Sequence, residues 1–556
     1  MAEARYQLCR HIISNQFGEV VETVCSLMVK LGRIPLRSIV RESGLTPKKV
    51  FDVLVTLIQH GMITHAESIE GGNTVAYYSP NLHEILRRAR IGIYLKVLHD
   101  RLDPDGFKVA NLVLQNGVMT AKQIKRSMGI TAAQKKKLAQ LQKSILTMVR
   151  ERILIAVQPK DLLTKSDRLI SEEKDMKSKE SLIITANKLK EIRRQAREKL
   201  DYEYDDSAIV GMASRVKRKA TGDVGSSDLF QDDLYNPSKM HIAGDSSDVV
   251  EDDAFFRLNF DKLDVLLRNQ QIIQYFARKI NTGASAVMKH ILRLTEEKVK
   301  SCRETSSNRI TANQIVHSVP ADIPLKDTMV MDFEETGNRE TRHIEYVHAY
   351  IELLGGDPSG ILAKRDERGS GEYQVDFQKA FETLRNKYVD TFIQEHFGSV
   401  ATRITRVLRA KNKLEEKQVA QFAMLPVGVC RSHLLKLFNL GLVDLHEVAK
   451  SSDRFPARTL YFWYINYEKQ LDSMLSIAYK QMANLYIRLG YEKSSRSRLL
   501  AKMEREDVKL DPSLLGPSEV KAIEEYNKIT QILEASLIRI ELVVLTLRDS
   551  LVSKYS

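Results

Sequence analysis

The chain has 556 residues, enough for about three to five domains at roughly 100–200 residues each. Hydrophobic residues make up 43% and charged residues 28%, so real cores can form and the chain is not disordered as a whole. Lysine and arginine number 85 against 72 aspartate and glutamate, a formal excess of +13 that favours polyanionic partners and says nothing of fold.

Cys9, Cys25, Cys302 and Cys430 lie far apart, with no C-x-x-C pair. That excludes a zinc ribbon or a disulfide scaffold and fits a reducing compartment. Charges interrupt Met1–Glu22 every few residues, unlike a signal peptide, and no uncharged apolar run of about 18 residues occurs. The expectation is a soluble, intracellular, multidomain protein without a membrane partner.

Taken in chain order, Glu19–Leu31 has apolar residues at Val20, Val21, Val24, Leu27, Met28 and Leu31, the spacing of a helix closed by Gly32. Pro35–Ser43 predicts a second short helix ended by Gly44, and Thr46-Pro47 opens a third, Pro47–His60, ended by Gly61. Met62–Ala66 and Thr74–Ser79 then predict two strands around the turn Glu70–Asn73. Three helices and a hairpin are the order of a winged helix.

A looser second copy comprises Gly106–Asn116, Thr120–Ser127, Thr131–Arg150 and the strand Ile153–Val157, with no second wing strand in sight. Lys177–Leu200 predicts a charged helix. Asp205–Asp253 then holds eleven acidic residues against five basic ones and few aliphatics, the composition of a disordered linker.

Helices over Asn269–Lys298, Ala312–Ser318 and Arg339–Leu354, with strands Ile361–Arg365 and Tyr373–Phe377 around Gly369–Gly371, form a third copy. The fourth has helices Ser399–Lys411, Glu415–Met424 and Pro426–Asn439, and a return strand Thr459–Ile465. Beyond Tyr467, apolar residues from Leu471 to Leu489 and from Ile523 to Leu551 alternate four and three apart on either side of a Pro/Gly loop, which predicts an antiparallel coiled-coil hairpin.

The expected fold is mainly α with small β wings: four tandem, extended winged helices and a C-terminal helical hairpin. The expected domains are residues 1–80, 81–175, 253–380 and 381–467 for the winged helices, 176–252 for the charged helix and linker, and 468–556 for the hairpin.

Nothing in the sequence matches a P-loop, a dinucleotide fingerprint, H-E-x-x-H or G-x-S-x-G, so no enzyme, cofactor, metal site or small-molecule substrate is expected. His60 and His65 flank a helix end, as surface or capping residues do. Cys9, Cys25 and Cys430 sit in helical patterns as small buried hydrophobes.

The candidate DNA contacts are cationic. Lys48 and Lys49 open the third helix of the first copy, where a DNA-reading helix meets the groove. Arg403, Arg406, Arg409 and Lys413 form a basic stripe in the fourth copy, and Lys135, Lys136 and Lys137 a basic run in the second. A solvated face or a helix terminus explains each about as well as a phosphate track does. Arg215, Lys217, Arg218 and Lys219 lie in the linker, as a nuclear-import signal would.

On Gln394–Gly398, Glu416–Pro426 and Arg458–Tyr461 the sequence resembles the third subunit of DNA-directed RNA polymerase III, a winged-helix family. Asn259–Asp261, Arg268–Gln270, Ala312–Ile315 with Val319-Pro320, Phe17–Val20 and Pro35–Arg37 extend the resemblance over nearly the whole chain apart from the acidic linker. The resemblance implies extended winged helices related to the alpha subunit of general transcription factor IIE. It also implies a nuclear, non-catalytic subunit in a heterotrimer with subunits F and G on the polymerase clamp. Such a subunit supports promoter recruitment and DNA opening at small untranslated RNA genes (tRNA, 5S rRNA), and promoter DNA, including the single-stranded bubble, is an expected partner. The alternatives are a winged-helix scaffold, or a transcription factor acting outside the polymerase.

Overall fold

The computed structural model describes the chain except residues 1, 71–72, 130–133, 158–160, 162, 179–185, 207–211, 215–247, 251–252, 330–338, 368–370, 450–458, 511–514 and 550–556. In chain order the elements begin with α1 (Ala2–Phe17), α2 (Glu19–Leu31), β1 (Ile34–Pro35), α3 (Leu36–Ser43), α4 (Pro47–Gln59), β2 (Ile63–Glu70) and β3 (Asn73–Pro80). Then come α5 (Leu82–Arg87), α6 (Ile91–Arg101), α7 (Pro104–Asn116), β4 (Met119–Thr120), α8 (Ala121–Ser127), α9 (Lys135–Arg150) and β5 (Leu154–Ala156). They continue as α10 (Lys165–Ser178), α11 (Ala186–Asp206), β6 (Met212–Ser214), β7 (Asp248–Val250), β8 (Phe255–Leu258), α12 (Phe260–Lys279), α13 (Thr282–Thr295), β9 (Ile310–Thr311), α14 (Ala312–Ser318) and α15 (Arg339–Gly355). The rest are β10 (Leu362–Asp366), β11 (Glu372–Val375), α16 (Phe377–Lys411), β12 (Leu414–Glu415), α17 (Glu416–Ala423), α18 (Val427–Asn439), β13 (Asp444–Ala449), β14 (Thr459–Tyr464), α19 (Tyr467–Ser495), α20 (Ser497–Glu504), α21 (Glu506–Leu510) and α22 (Pro517–Asp549).

These elements write one topology four times. Each copy has a three-stranded antiparallel sheet in which a two-residue strand and the first wing strand flank the second wing strand: β1-β3-β2, β4-β8-β5, β9-β11-β10 and β12-β14-β13. In each, the two-residue strand runs straight into the second helix. In the second, third and fourth copies its last residue caps that helix in a reciprocal capping box, Thr120 with Gln123, Thr311 with Gln314 and Glu415 with Gln418. Two orphan backbone donors are satisfied at each start, which fixes the boundary. The third helices of the first, second and fourth copies also end alike. A left-handed residue, Gly61, Arg152 or Gly441, donates to the carbonyl three back, and the next residue donates to the carbonyl five back.

The topology also supplies the wing strand that the sequence conceals. It is Phe255–Leu258, pairing with Met119-Thr120 on one side and Leu154–Ala156 on the other. The segment between β5 and β8 is an insertion at a wing tip, where a long excursion costs little because the strand ends stay paired. It carries the pair α10 and α11 and the short ladder Met212–Ser214 with Asp248–Val250. The expected linker otherwise falls outside the described residues.

Two compact bodies emerge: residues 1–54, 77–97 and 260–556, and residues 55–76 and 98–259. In the first, the third copy has a continuous core from Val265 of α12 through Val287, Tyr350 and Ile361 to Phe377. The stretch Asn269–Lys298, expected as one or two helices, holds two, because Asn281 ends the first and caps α13, accepting a hydrogen bond from the amide of Ala284 at 2.7 Å. The C-terminal helices run antiparallel. Tyr479 lies by Arg548, Tyr486 by Glu541 and Arg496 over Tyr526, so positions rise along one helix as they fall along the other. The hairpin docks within the chain: α1, which carries no assignment from the sequence alone, packs along α19, with Arg5 over Tyr479.

A buried ionic knot ties the distant parts of this body together. Arg90 is fully buried, with Nε 2.6 Å from Glu541 of α22 and Nη1 2.9 Å from Asp264 of α12. Asp264 also accepts from Tyr94 Oη at 2.5 Å and from Arg87 at 3.0 Å, and Arg87 is paired in addition with Glu84 and Asp261. Burial disfavours a charged Arg87, but Asp261, Glu84 and Asp264 outweigh it and hold its pKa well above the ordinary value.

Candidate interaction surfaces of the recognition helices

The first and fourth copies superpose in sequence with a constant offset. Gly18 and Gly398 are 380 residues apart, and so are Gly44 and Met424, Leu54 and Leu434, Leu57 and Leu437, and Gly61 and Gly441. Gly18 (φ 88°, ψ 177°) and Gly398 (φ 82°, ψ 179°) share a conformation open essentially to glycine alone, and each interrupts a helix just before the first helix of its copy. The inward leucines match, so what distinguishes the copies is what their third helices, the recognition helices of the winged fold, show to the outside.

Helix α9 is cationic. Its sixteen residues include no acid, and Lys136, Gln140, Lys143, Thr147 and Arg150 are exposed at alternating four- and three-residue steps, a single polar stripe. Lys137 is exposed beside it. Leu141, Ile145, Met148 and Val149 are buried on the opposite side. Helix α15 differs, exposing Ile344, Glu345, Glu352 and Leu353.

Helices α4 and α18 expose hydrophobes instead. On α4, Lys48 and Lys49 are exposed in the first turn, but the face behind them carries Phe51 (59% exposed) and Val55. On α18 the corresponding positions 427, 431 and 435 are Val427, Arg431 and Leu435, followed by Phe438, and the three hydrophobes are exposed. Arg431 is held by Glu416 at 2.9 Å, and burial with the charge of Lys436 lowers the pKa of His433, which leaves it neutral near pH 7.

The arginine stripe of the fourth copy has partners within the chain, although Arg403 and Arg406 remain exposed. Arg406 Nε and Arg409 Nη2 grip the two oxygens of Asp390 at 2.9 and 2.8 Å, bracing α16 across its break at Gly398. Arg403 donates to the carbonyl of Ala423 at the end of α17. Lys413 lies past the helix, beyond Asn412, with its ammonium over the Tyr464 ring. The side chain of Lys135, and Arg215, Lys217, Arg218 and Lys219 altogether, lie outside the described residues. All four cysteines are buried, and burial pushes the Cys9 and Cys25 thiols up to about 12. Among the described residues no cluster of three or more His, Cys, Asp or Glu could hold a metal.

Four winged helices in tandem, with chemically different recognition helices and a helical hairpin closed onto the N-terminal helix, define a tandem winged-helix protein. Three family models match along the chain. They are the RNA polymerase III subunit RPC82 helix-turn-helix domain at residues 7–68, RNA polymerase III subunit RPC82 at 143–384, and the POLR3C C-terminal winged-helix domain at 389–465. The chain is 24% identical to DNA-directed RNA polymerase III subunit rpc3 of Emericella nidulans, over 98% of this chain and 99% of that protein. It is 25% identical to subunit RPC3 of Bos taurus over 95% of this chain and 92% of that one, and 24% identical to subunit RPC3 of Homo sapiens over the same shares. The chain belongs to the RPC82/RPC3 family of RNA polymerase III subunits, a non-catalytic subunit family.

Proposed function

We propose that this chain works as a non-catalytic initiation subunit of RNA polymerase III in the nucleus, in a peripheral heterotrimer with subunits F and G on the clamp, and supports promoter recruitment and DNA opening. We further infer a division of labour: α9 of the second copy tracks DNA phosphates, whereas α4 and α18 dock protein. The observation that carries it is the contrast between the polar stripe of α9, which holds cations and neutral residues but no acid, and the exposed hydrophobes of α4 and α18. Backbone contacts of this kind supply affinity without sequence choice, which suits a subunit that takes promoter selectivity from its partners. The pairing of Arg406 and Arg409 with Asp390 favours a bracing role for that stripe over a phosphate track.

A salt titration on duplex and bubble templates tests this. Replacing Lys136, Lys137 and Lys143 by Ala should lower the log–log salt slope by roughly 0.9 per lost contact on duplex and roughly 0.7 on single strands. Replacing Arg403, Arg406 and Arg409 should leave the slope alone and destabilise the fourth copy. The opposite pattern refutes the assignment. Co-purification at high salt tests the assembly: the polymerase core and both partner subunits should accompany the chain.

A further inference from the structure

The exposed side of the fourth copy combines two features that a surface made for water or for DNA does not need. The first is a run of apolar side chains on α18, Val427, Leu435 and Phe438, continued by Phe422 and Met424 where α17 turns into α18. The second is the backbone at Met424, which lies in the left-handed region (φ 53°, ψ 52°) where the first copy has Gly44 (φ 65°). Met424 is the C-cap of α17, donating to Gln421 while Leu425 donates to Ala420, and although a side chain is disfavoured there the position holds a methionine that is 88% exposed. A flexible thioether held out in this way suits a surface that packs against another protein.

Charge identifies the partner's chemistry. From Lys411 to Leu440 the cations are Lys411, Lys413, Lys417, Arg431 and Lys436, against Glu415 and Glu416. Glu415 is used in the cap of α17 and Glu416 in the pair with Arg431. Lys411, Lys417 and Lys436 are exposed around the apolar run. A second copy of the chain would bring the same positive field against itself. DNA would leave the hydrophobes without apolar contact. An apolar stripe flanked by carboxylates complements both features.

We propose that α18 and the α17–α18 turn dock an acidic amphipathic segment of another polypeptide. Its apolar side chains cover Val427, Leu435, Phe438 and Met424, and its carboxylates meet Lys411, Lys417 and Lys436. The inference rests on the assembly reading above and specifies the partner of one surface.

The test places a photo-crosslinking amino acid at Leu435 of the full-length chain, with exposed Lys480 of α19 as control, and maps the products in the purified assembly by mass spectrometry. The expected product at Leu435, and not at Lys480, is a segment of another polypeptide with apolar residues at helical spacing among Asp and Glu. Leu435→Asp, or the pair Lys417→Glu and Lys436→Glu, should each weaken capture of that segment, synthesised as a peptide, at least about tenfold, or 1.4 kcal/mol. Fluorescence of the sole tryptophan, Trp463, checks folding of the variants, since its ring meets Phe438 edge-on. Crosslinks to nucleic acid, to a second copy or to a segment without acids overturn the proposal, as does the absence of a crosslink at Leu435. If polymerase fails to co-purify with the wild-type chain, the assembly reading fails. If it co-purifies and the crosslink is wrong, this inference alone fails.

Discussion

Arg90→Met should be among the most damaging single changes outside the hydrophobic cores. Arg90 is fully buried, and its partners Asp264 and Glu541 are each 2% exposed, so its loss strands carboxylate charge where water cannot reach. Breaking a buried pair from one side costs about 3–5 kcal/mol, a large part of a domain's total of about 5–15 kcal/mol. Urea unfolding followed by circular dichroism reads this out: at a slope of about 3 kcal/mol/M the midpoint falls by about 1–1.7 M. Glu541→Leu should lose a comparable amount, because Arg90 then keeps Asp264 but loses its contact with α22. The double variant Arg90→Met/Glu541→Leu removes both charges and leaves Asp264 with Arg87 and Tyr94, so it should cost much less than the sum, with a coupling of about 2–3 kcal/mol. Hydrogen exchange should rise in Pro517–Asp549 and near Leu82–Arg101 in each single variant. Additive singles, with unchanged exchange in α22, would refute the view that this knot fastens the C-terminal helix to the N-terminal half of the body.

Three further outcomes are expected. Gly398→Ala should destabilise the fourth copy by about 1–3 kcal/mol through its φ of 82°, read by Trp463 fluorescence, and an unshifted transition would show that the break relaxes freely. With the thiols of Cys9 and Cys25 buried and pushed up to about 12, a thiol reagent at pH 8 should label them only after denaturation; rapid native labelling would contradict their packing. Burial opposes the charge on Asp357, but Lys279 at 2.7 Å and Ser359 outweigh it and depress its pKa, while the same pair raises that of Lys279. Asp357 therefore contributes stability above the ordinary 3.8 and loses it as pH falls through the lower folded value, whereas the Lys279 contribution is full below 10.5 and fades above it. The stability gap between wild type and Asp357→Asn should accordingly close in acid below about pH 4, and a gap that stays constant there would refute the pairing.

What the order of residues settles alone is local and periodic. Helix starts, glycine stops and apolar spacing are properties of a few neighbouring residues, so the helices of the first and fourth copies and the long C-terminal helices are legible, as is the doubled pattern from Leu57–Ile63 to Leu437–Val443. The remainder was set by partners far away in the chain. The strand Phe255–Leu258 is too short to announce itself and acquires its identity only by pairing with Met119-Thr120 and Leu154–Ala156, both far earlier in the chain. The basic spacing of Arg403, Arg406 and Arg409 was visible. Only the fold brings Asp390 within reach of two of them, which the spacing alone does not show. The polar stripe of α9 could have been found by extending the lysine run through Lys143 and Arg150 at helical steps. The exposure of Leu435 and Met424 could not, because a leucine on a helix gives the same sequence signal facing inward or outward, and only tertiary packing decides which face remains in water.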